Sequence, residues 1–418
     1  MRYLINIIAL ILIMTSVSFA QSFINVSAEP EDSFNAVLVE KNGKWLHVLK
    51  VAEGRVEVLD SFQVLTGRVD GDKRVQGDEK TPEGVYFVTG FLSPEKLRAM
   101  YGEVGKQYGT GAYPLSYPNL KDRLQGKTGG GIWLHGIDPS RNVPVTKGCV
   151  AFDNEKLTKM ADYIKVGTPV IVTEEGLKGT LDDLRAHFES AKKLVTDYME
   201  AWGNSDFDAF SAAYNPNFKD TAGRSLENYL KYKKNLMDLF PYRKVSADGF
   251  RIYTNSDSET VAEFTQFYCA PNVVSYGRKR FYYEQDGESL KISAEEFMPI
   301  SSESYVREKV HEFLLSWKKS WESLSIDDYM ANYSDAFSTR GMNNAGWRED
   351  KSGKFAGLEN VKVVIDNISF KAYSPVSYAI EFRQKYSGDA YSDTGIKTLR
   401  VKGCPGDFKI TSEIWRAE

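Results

Sequence analysis

The sequence predicts a multidomain chain: a mostly β domain followed by two tandem copies of an α+β module. Three observations lead there. The 418 residues are enough for two or three domains, and 42% hydrophobic with 26% charged residues suits ordinary globular cores. Up to about residue 176, short runs of Val, Leu, Phe and Tyr alternate with Gly, Asn and Asp turns. Beyond it, a long helical pattern gives way to strands, and then the whole scheme restarts.

The elements follow in order. MRYLINIIALILIMTSVSFAQS has a basic start at Arg2, an apolar run from Leu4 to Met14, and small residues Ser18 and Ala20 before Gln21. This is the layout of a secretory signal peptide over 1–20, so an exported mature chain is expected. The run is short for a membrane span, which needs roughly 20 residues. Within 33–176, NAVLVEKNGKWLHVLKV, RVEVLDSFQVLTG, GVYFVTGF, GIWLHG and TPVIVTEE are strand candidates. NEKLTKMADYIKVG is a helix candidate, capped by Asp153 or Asn154, with Leu157, Met160, Ala161 and Ile164 on one face and Gly167 ending it.

The first module is expected over 183–300. Its long helix carries Phe188, Ala191, Leu194, Val195, Tyr198, Met199 and Trp202 in one stripe, and VSADGFRIYTN, TVAEFTQFYCA, KRFYYEQ and SLKISAEEFMPI supply strands. The second module, over 304–418, repeats this: EAWGNSDFDAF answers KSWESLSIDDY, and SLKISAEEF answers DFKITSEIW. His187 and His311 lie in the two long helices without acid partners in register, so the modules are expected to brace or bind.

Formal net charge is −4 and no basic tract stands out, which argues against nucleic acid as a partner. Of three cysteines, at least one must stay unpaired; Cys269 and Cys404 could pair, but nothing in their spacing says that they do.

One stretch carries chemistry: IWLHGIDPSRNVPVTKGCVAFDN, with His135 and Cys149. A thiol attacks as thiolate, and an imidazole or exposed N–H groups can help to form it. His135 ends a strand candidate, and Cys149 follows Gly148 just before a helix, so the N–H groups of Gly148 and Cys149 could serve an oxyanion. A structural Cys or a packed strand-end His are the plainer readings. A zinc site needs about four ligands, and none gather here, so no metal or cofactor is expected. GKTGGG has no following helix and is not a phosphate loop. His47, within a strand, is expected to be structural.

AYPLSYPNLKDRLQGKTGGGIWLHGIDPSRNVPVTKGCVAFDN resembles the core of the YkuD, or L,D-transpeptidase, family. The family's strand ending in His-Gly is matched by His135-Gly136, and its Ser/Thr-x-Gly-Cys by Thr146-Lys147-Gly148-Cys149. TPEGVYFV and VGTPVIV match its flanking strands. The resemblance implies a peptidoglycan enzyme. Cys149 would attack the diaminopimelate–D-Ala amide of a stem peptide, with His135 as base and then acid, and a backbone carbonyl orienting its other nitrogen. Gly148 and Cys149 would donate to the oxyanion. Candidate substrate contacts are Gly136, Thr146, Lys147, Tyr117, Asn119 and Arg123; Tyr113 and Asp122 could line the same groove, and Lys127, like Arg123, could pair with a stem carboxylate.

Many cross-linking members carry Arg two residues after the Cys, where this chain has Ala151. The closer likeness is to an L,D-carboxypeptidase branch, which implies hydrolysis of tetrapeptide to tripeptide in the periplasm. Formation of 3,3 cross-links, attachment or release of a wall-linked protein, and a non-catalytic wall-binding role are the alternatives. Asp183–Glu418 resembles the nuclear-transport-factor-2-like fold, a cone of helices on a curved sheet, present here twice. Glycan, another cell-wall protein, or the other module are the candidate partners of each such cone.

Overall fold

The computed structural model describes residues 22–138, 140, 145–256, 259–287, 289–389 and 391–418. The expected signal peptide over 1–20 and part of the His–Cys loop, 141–144, lie outside the described residues.

The N-terminal domain opens with β1 (Ser22–Phe23), β2 (Val26–Ala28), β3 (Ser33–Glu40), β4 (Trp45–Ala52), β5 (Arg55–Gln63) and β6 (Gly84–Phe87). Helix α1 (Pro94–Tyr101) and a 3-10 turn (Gly102–Tyr108) then lead to β7 (Ala112–Pro114), α2 (Leu120–Leu124) and β8 (Trp133–His135). The domain closes with β9 (Val150–Ala151), α3 (Asn154–Met160), β10 (Pro169–Thr173) and β11 (Lys178–Gly179). The main sheet has the order β5-β4-β3-β10-β6, with β10 parallel to β3.

Both faces of this sheet are covered, which is why β10 is buried at every residue and reads as an unbroken apolar run. On one face Val37, Val39, Leu46 and Val48 pack against Leu134, Val150, Phe152 and Leu157. On the other, Ala36, Leu38, Leu49 and Ile171 pack against Leu184, Tyr253 and Val261 of the next module.

Helix α3 stops earlier than its periodicity predicts. After Met160 the backbone tightens, Ala161 N–H bonding to Thr158 and Asp162 N–H to Lys159. The Asn35 amide takes the Tyr163 carbonyl at 2.8 Å, drawing the chain off the helical path while Ile164 stays buried.

The first module comprises α4 (Leu181–Asn204), α5 (Phe207–Ala212), β12 (Tyr214–Lys219), α6 (Leu226–Leu239), β13 (Lys244–Ser256), β14 (Glu259–Ala270), β15 (Val273–Asp286) and β16 (Ser289–Ile300). A reciprocal cap between Thr180 and Asp183 starts α4, and Ser205 in the left-handed region ends it. The predicted stripe packs inward, with Leu194 only partly covered. Neither β12 nor α6 was legible in the sequence; Tyr229 and Met237 are the only buried residues of α6, so its apolar signal is thin.

The second module repeats the plan with α7 (Glu303–Glu322), α8 (Ile326–Met330), β17 (Ser338–Thr339), β18 (Met342–Asn343), α9 (Asn344–Phe355), β19 (Val361–Ser374), β20 (Ser377–Gly388), β21 (Ser392–Lys402) and β22 (Lys409–Ala417). Its long strands form a meander, β19-β20-β21-β22. The duplication reaches the side chains. Lys279–Glu295 and Lys397–Glu413 are buried ion pairs at 3.0 Å, and Trp202 on Tyr268 matches Trp321 on Tyr386 as a stacked pair.

Two features tie the parts together. Cys269 and Cys404 form a disulfide between the modules, which answers the pairing question and leaves Cys149 as the free thiol among the described residues. Beside it, the Tyr242 hydroxyl accepts from the Cys404 N–H at 2.8 Å. At the other end, β1 pairs with β11 while β2 adds a sixth strand to the first module's sheet, Val26 opposite Tyr253 and Ala28 opposite Arg251. The buried Asn25 amide donates to the Thr254 carbonyl and its oxygen accepts from Leu177 N–H, both at 2.8 Å.

Candidate active site

Strand β8 sits between antiparallel β7 and parallel β9, with Leu134 opposite Val150 and His135 opposite Ala151. Side chains alternate across a strand. Leu134 and Val150 turn into the core, so Trp133, His135, Cys149 and Ala151 share the opposite face. The two candidate catalytic residues are thus brought to one side of one small sheet.

The imidazole is fixed from behind. His135 is 8% exposed, and its Nδ1 donates to the Gly136 carbonyl at 2.6 Å, which leaves Nε2 as the basic nitrogen. The Tyr108 ring meets the imidazole edge to face at 5.1 Å. Burial pulls the imidazole down to about 4, against the opposing pull of the Gly136 carbonyl. Half-buried Cys149 directs Sγ at the Gly131 carbonyl, 3.3 Å away. Burial pushes the thiol up to about 11, opposed by the Trp133 N–H and by the charge of Lys73. At neutral pH the resting pair is therefore a thiol and a neutral imidazole, and proton transfer belongs to the attack itself.

The loop that carries the thiol is built by its neighbours. Gly148 has φ +126°, and a Cβ there would stand 2.7 Å from the Lys80 carbonyl oxygen. Its N–H bonds to Thr146 Oγ1 at 3.0 Å, so an oxyanion role for Gly148 requires that bond to open. The same hydroxyl donates to the Cys149 carbonyl at 2.7 Å, which makes Thr146 a loop brace. Lys147 is exposed.

Gly136 is a packing position: a Cβ would lie 2.1 Å from Asn154 Oδ1. Tyr117 is buried in the core with its hydroxyl on the Thr128 carbonyl, 3.2 Å away, and Tyr113 is buried beside it. Asn119, also buried, caps α2 in a reciprocal box with Asp122. These side chains support the fold and do not line a groove, contrary to the sequence expectation. Lys127 is buried between Asp72 and Asp122, both at 2.8 Å, and is not a free carboxylate partner. Exposed Arg123 donates to the Pro118 carbonyl at 2.7 Å.

His47 is structural, with Nε2 on Glu40 and Nδ1 on Ser61.

Three supporting residues escaped the sequence reading. Asn154 accepts from Thr110 N–H (3.1 Å) and Ile137 N–H (3.2 Å) and donates to the Ile137 carbonyl (2.8 Å), locking the His-Gly turn to α3. Its neighbour Asp153 is the true helix cap. Lys73, 3% exposed and paired with Asp78 at 2.6 Å, lies under Gly129 in the loop that carries the Gly131 carbonyl. Tyr108 has no motif to reveal it. Asn154→Ala is expected to cost about 1 kcal/mol by removing the acceptor of the part-buried Ile137 N–H and of the exposed Thr110 N–H. It should lower turnover more than substrate affinity, as thermal unfolding and steady-state kinetics would show.

Residues 36–172 match the L,D-transpeptidase catalytic domain of YkuD type. The Cds6 C-terminal NTF2-like domain matches twice, over 190–296 and 309–414. The chain joins a YkuD-type L,D-transpeptidase domain to two Cds6-type NTF2-like modules. A YkuD domain acts on peptidoglycan stem peptides, so this is an enzyme of L,D-transpeptidase type, and the disulfide fits an extracytoplasmic protein.

Among solved structures, Bd1075 of Bdellovibrio bacteriovorus is 29% identical at a TM-score of 0.57, over 68% of this chain and 98% of that one. The helical cell shape determining protein Pgp2 of Campylobacter jejuni is 27% identical at 0.55, over 66% and 95%. No curated protein matches in sequence.

Proposed function

We infer that this YkuD protein is a periplasmic L,D-carboxypeptidase that trims stem tetrapeptides to tripeptides through a thioester on Cys149. The observation that carries the reading is the shared face of His135 and Cys149, with Nδ1 held by Gly136 so that Nε2 is the base. The thiol turns from Gly131, Sγ attacks the diaminopimelate carbonyl, and Nε2 takes the thiol proton. The Cys149 N–H, joined by Gly148 once Thr146 lets go, receives the oxyanion. Collapse breaks the C–N bond, and His135 returns the proton to the departing D-Ala amine. Water, deprotonated by the same nitrogen, then releases the tripeptide and the thiol.

Ala151 supports water over an amine as acceptor. It faces the site beside His135 and is 3% exposed, and it offers no charge to hold a second stem. Likeness to a helical cell shape protein supports the same reading. Transfer to a second stem remains the rival because the family match is to transpeptidases. The two modules fit a role in binding another wall component. The test is mass spectrometry of disaccharide-tetrapeptide incubated with the mature protein, with Cys149→Ala as control. Free D-Ala with tripeptide is the expected result; a covalent dimer short of one D-Ala would reverse the order, and no Cys149-dependent product would sink both.

A further inference from the structure

Between β6 and β7 the chain makes an excursion that leaves four large apolar side chains in solvent: Phe91 (47% exposed), Met100 (52%), Tyr101 (41%) and Val104 (59%). Large apolar side chains exposed together on one excursion mark a candidate contact site. The excursion is firmly built. Ser93 caps α1, Leu97 is fully buried, and Gly105 packs so closely that a Cβ would lie 2.6 Å from the Leu97 carbonyl oxygen. Asn154 pins the far end at Thr110.

From Tyr101 a chain of rings runs inward to the imidazole. Tyr101 lies 6.0 Å from both Trp133 and Tyr108, Tyr108 lies 4.9 Å from Trp133, and Tyr108 meets His135 at 5.1 Å. Trp133 shares the face of β8 with His135 and Cys149. The shelf is therefore continuous with the site, and its flat, electron-rich faces suit a partner with a flat array of weakly positive C–H groups. A pyranose ring has such a face; diaminopimelate and D-Ala do not.

The spacing agrees. Three stem residues separate the sugar from the cleaved bond, and three extended residues span about 10 Å. Tyr101 lies within the sum of two ring-to-ring steps, 6.0 Å and 5.1 Å, of His135, which is within the reach of such a stem. We propose that Tyr101 and Trp133 form a saccharide subsite that holds the sugar from which the stem hangs while its third residue lies at Cys149. This rests on the peptidoglycan reading above. It makes the enzyme a reader of glycan-linked stems over free peptides.

The experiment compares disaccharide-tetrapeptide with free tetrapeptide, on the wild type, Tyr101→Ala and Tyr101→Phe. The wild type should show the lower KM for the glycan-linked substrate. Tyr101→Ala should raise that KM roughly tenfold, a modest stacking contribution, with the free peptide unchanged and Tyr101→Phe close to wild type. Equal changes on both substrates, or none on either, would overturn the subsite. If the wild type cleaves neither substrate, the carboxypeptidase reading fails separately. The subsite is then read by saturation-transfer NMR with disaccharide-tripeptide: transfer to sugar protons that Tyr101→Ala abolishes supports it, and no transfer in the wild type refutes it.

Discussion

Replacing His135 with Ala is expected to lower turnover of the stem amide by about 10²–10⁴-fold, the range for loss of a positioned acid–base. The effect should fall on kcat, because the imidazole acts in proton transfer and the thiol it serves is protonated at rest. The pH profile carries the sharper signature. With the imidazole drawn down to about 4, the base is available well below the 6.5 of a free histidine, so the acidic limb of kcat/KM should fall near pH 4. An acidic limb at pH 6.5 would mean that the buried, Gly136-bonded ring is not the base. Stability is linked in the same direction. Below pH 6.5 the unfolded chain takes up a proton at His135 that the folded chain refuses until about pH 4. Folding should therefore lose up to about 3 kcal/mol between those values. Urea unfolding at pH 7 and pH 4.5 would show a smaller loss in His135→Gln than in the wild type.

Removing the inter-module disulfide is the second large effect. Cys269 and Cys404 are 135 residues apart in sequence, so the bond closes a long loop in the unfolded chain. The chain-entropy model puts its contribution at about 5 kcal/mol, and native disulfides commonly deliver about 2–5. The Cys269→Ser, Cys404→Ser double variant should unfold in two separated steps, with the second module melting first. Each module keeps its own large apolar cluster, while the small one they share, Phe267 and Tyr276 stacked on Tyr305, and polar contacts such as Lys244 Nζ on the Gly406 carbonyl remain between them. Cleavage at Cys149 should survive, because the disulfide lies in the modules and not in the YkuD domain. A single unchanged calorimetric transition would show that the bond adds nothing to their coupling.

How much of this was legible in the sequence depends on how local the signal is. The duplicated modules were legible because long amphipathic helices and alternating strands print a period into the chain. The His-Gly and Thr-Lys-Gly-Cys segments stood out because the family resemblance rests on those residue types in that order. Tyr117, Asn119 and Lys127 were misread as groove residues: polarity and closeness to the motif suggested contact with substrate, yet the fold turns them inward to the core, a cap and two buried carboxylates. The supporting roles of Asn154, Tyr108 and Lys73 were invisible because each acts through a contact made by folding, between segments far apart in sequence. The β2 pairing is the extreme case, since nothing about three residues, VSA, announces a partner more than two hundred positions away.

That pairing bears on how the protein is made. Val26–Ala28 precedes the main sheet of the YkuD domain, but β13, the strand it must join, follows only after that whole domain and α4 to α6. Until then the nascent chain carries an unclosed strand and an uncovered sheet face holding Ala36, Leu38, Leu49 and Ile171. Such edges and patches invite wrong partners. A chain cut short after the YkuD domain inherits that defect permanently. The first module thus acts as the closing piece of the YkuD domain's own assembly.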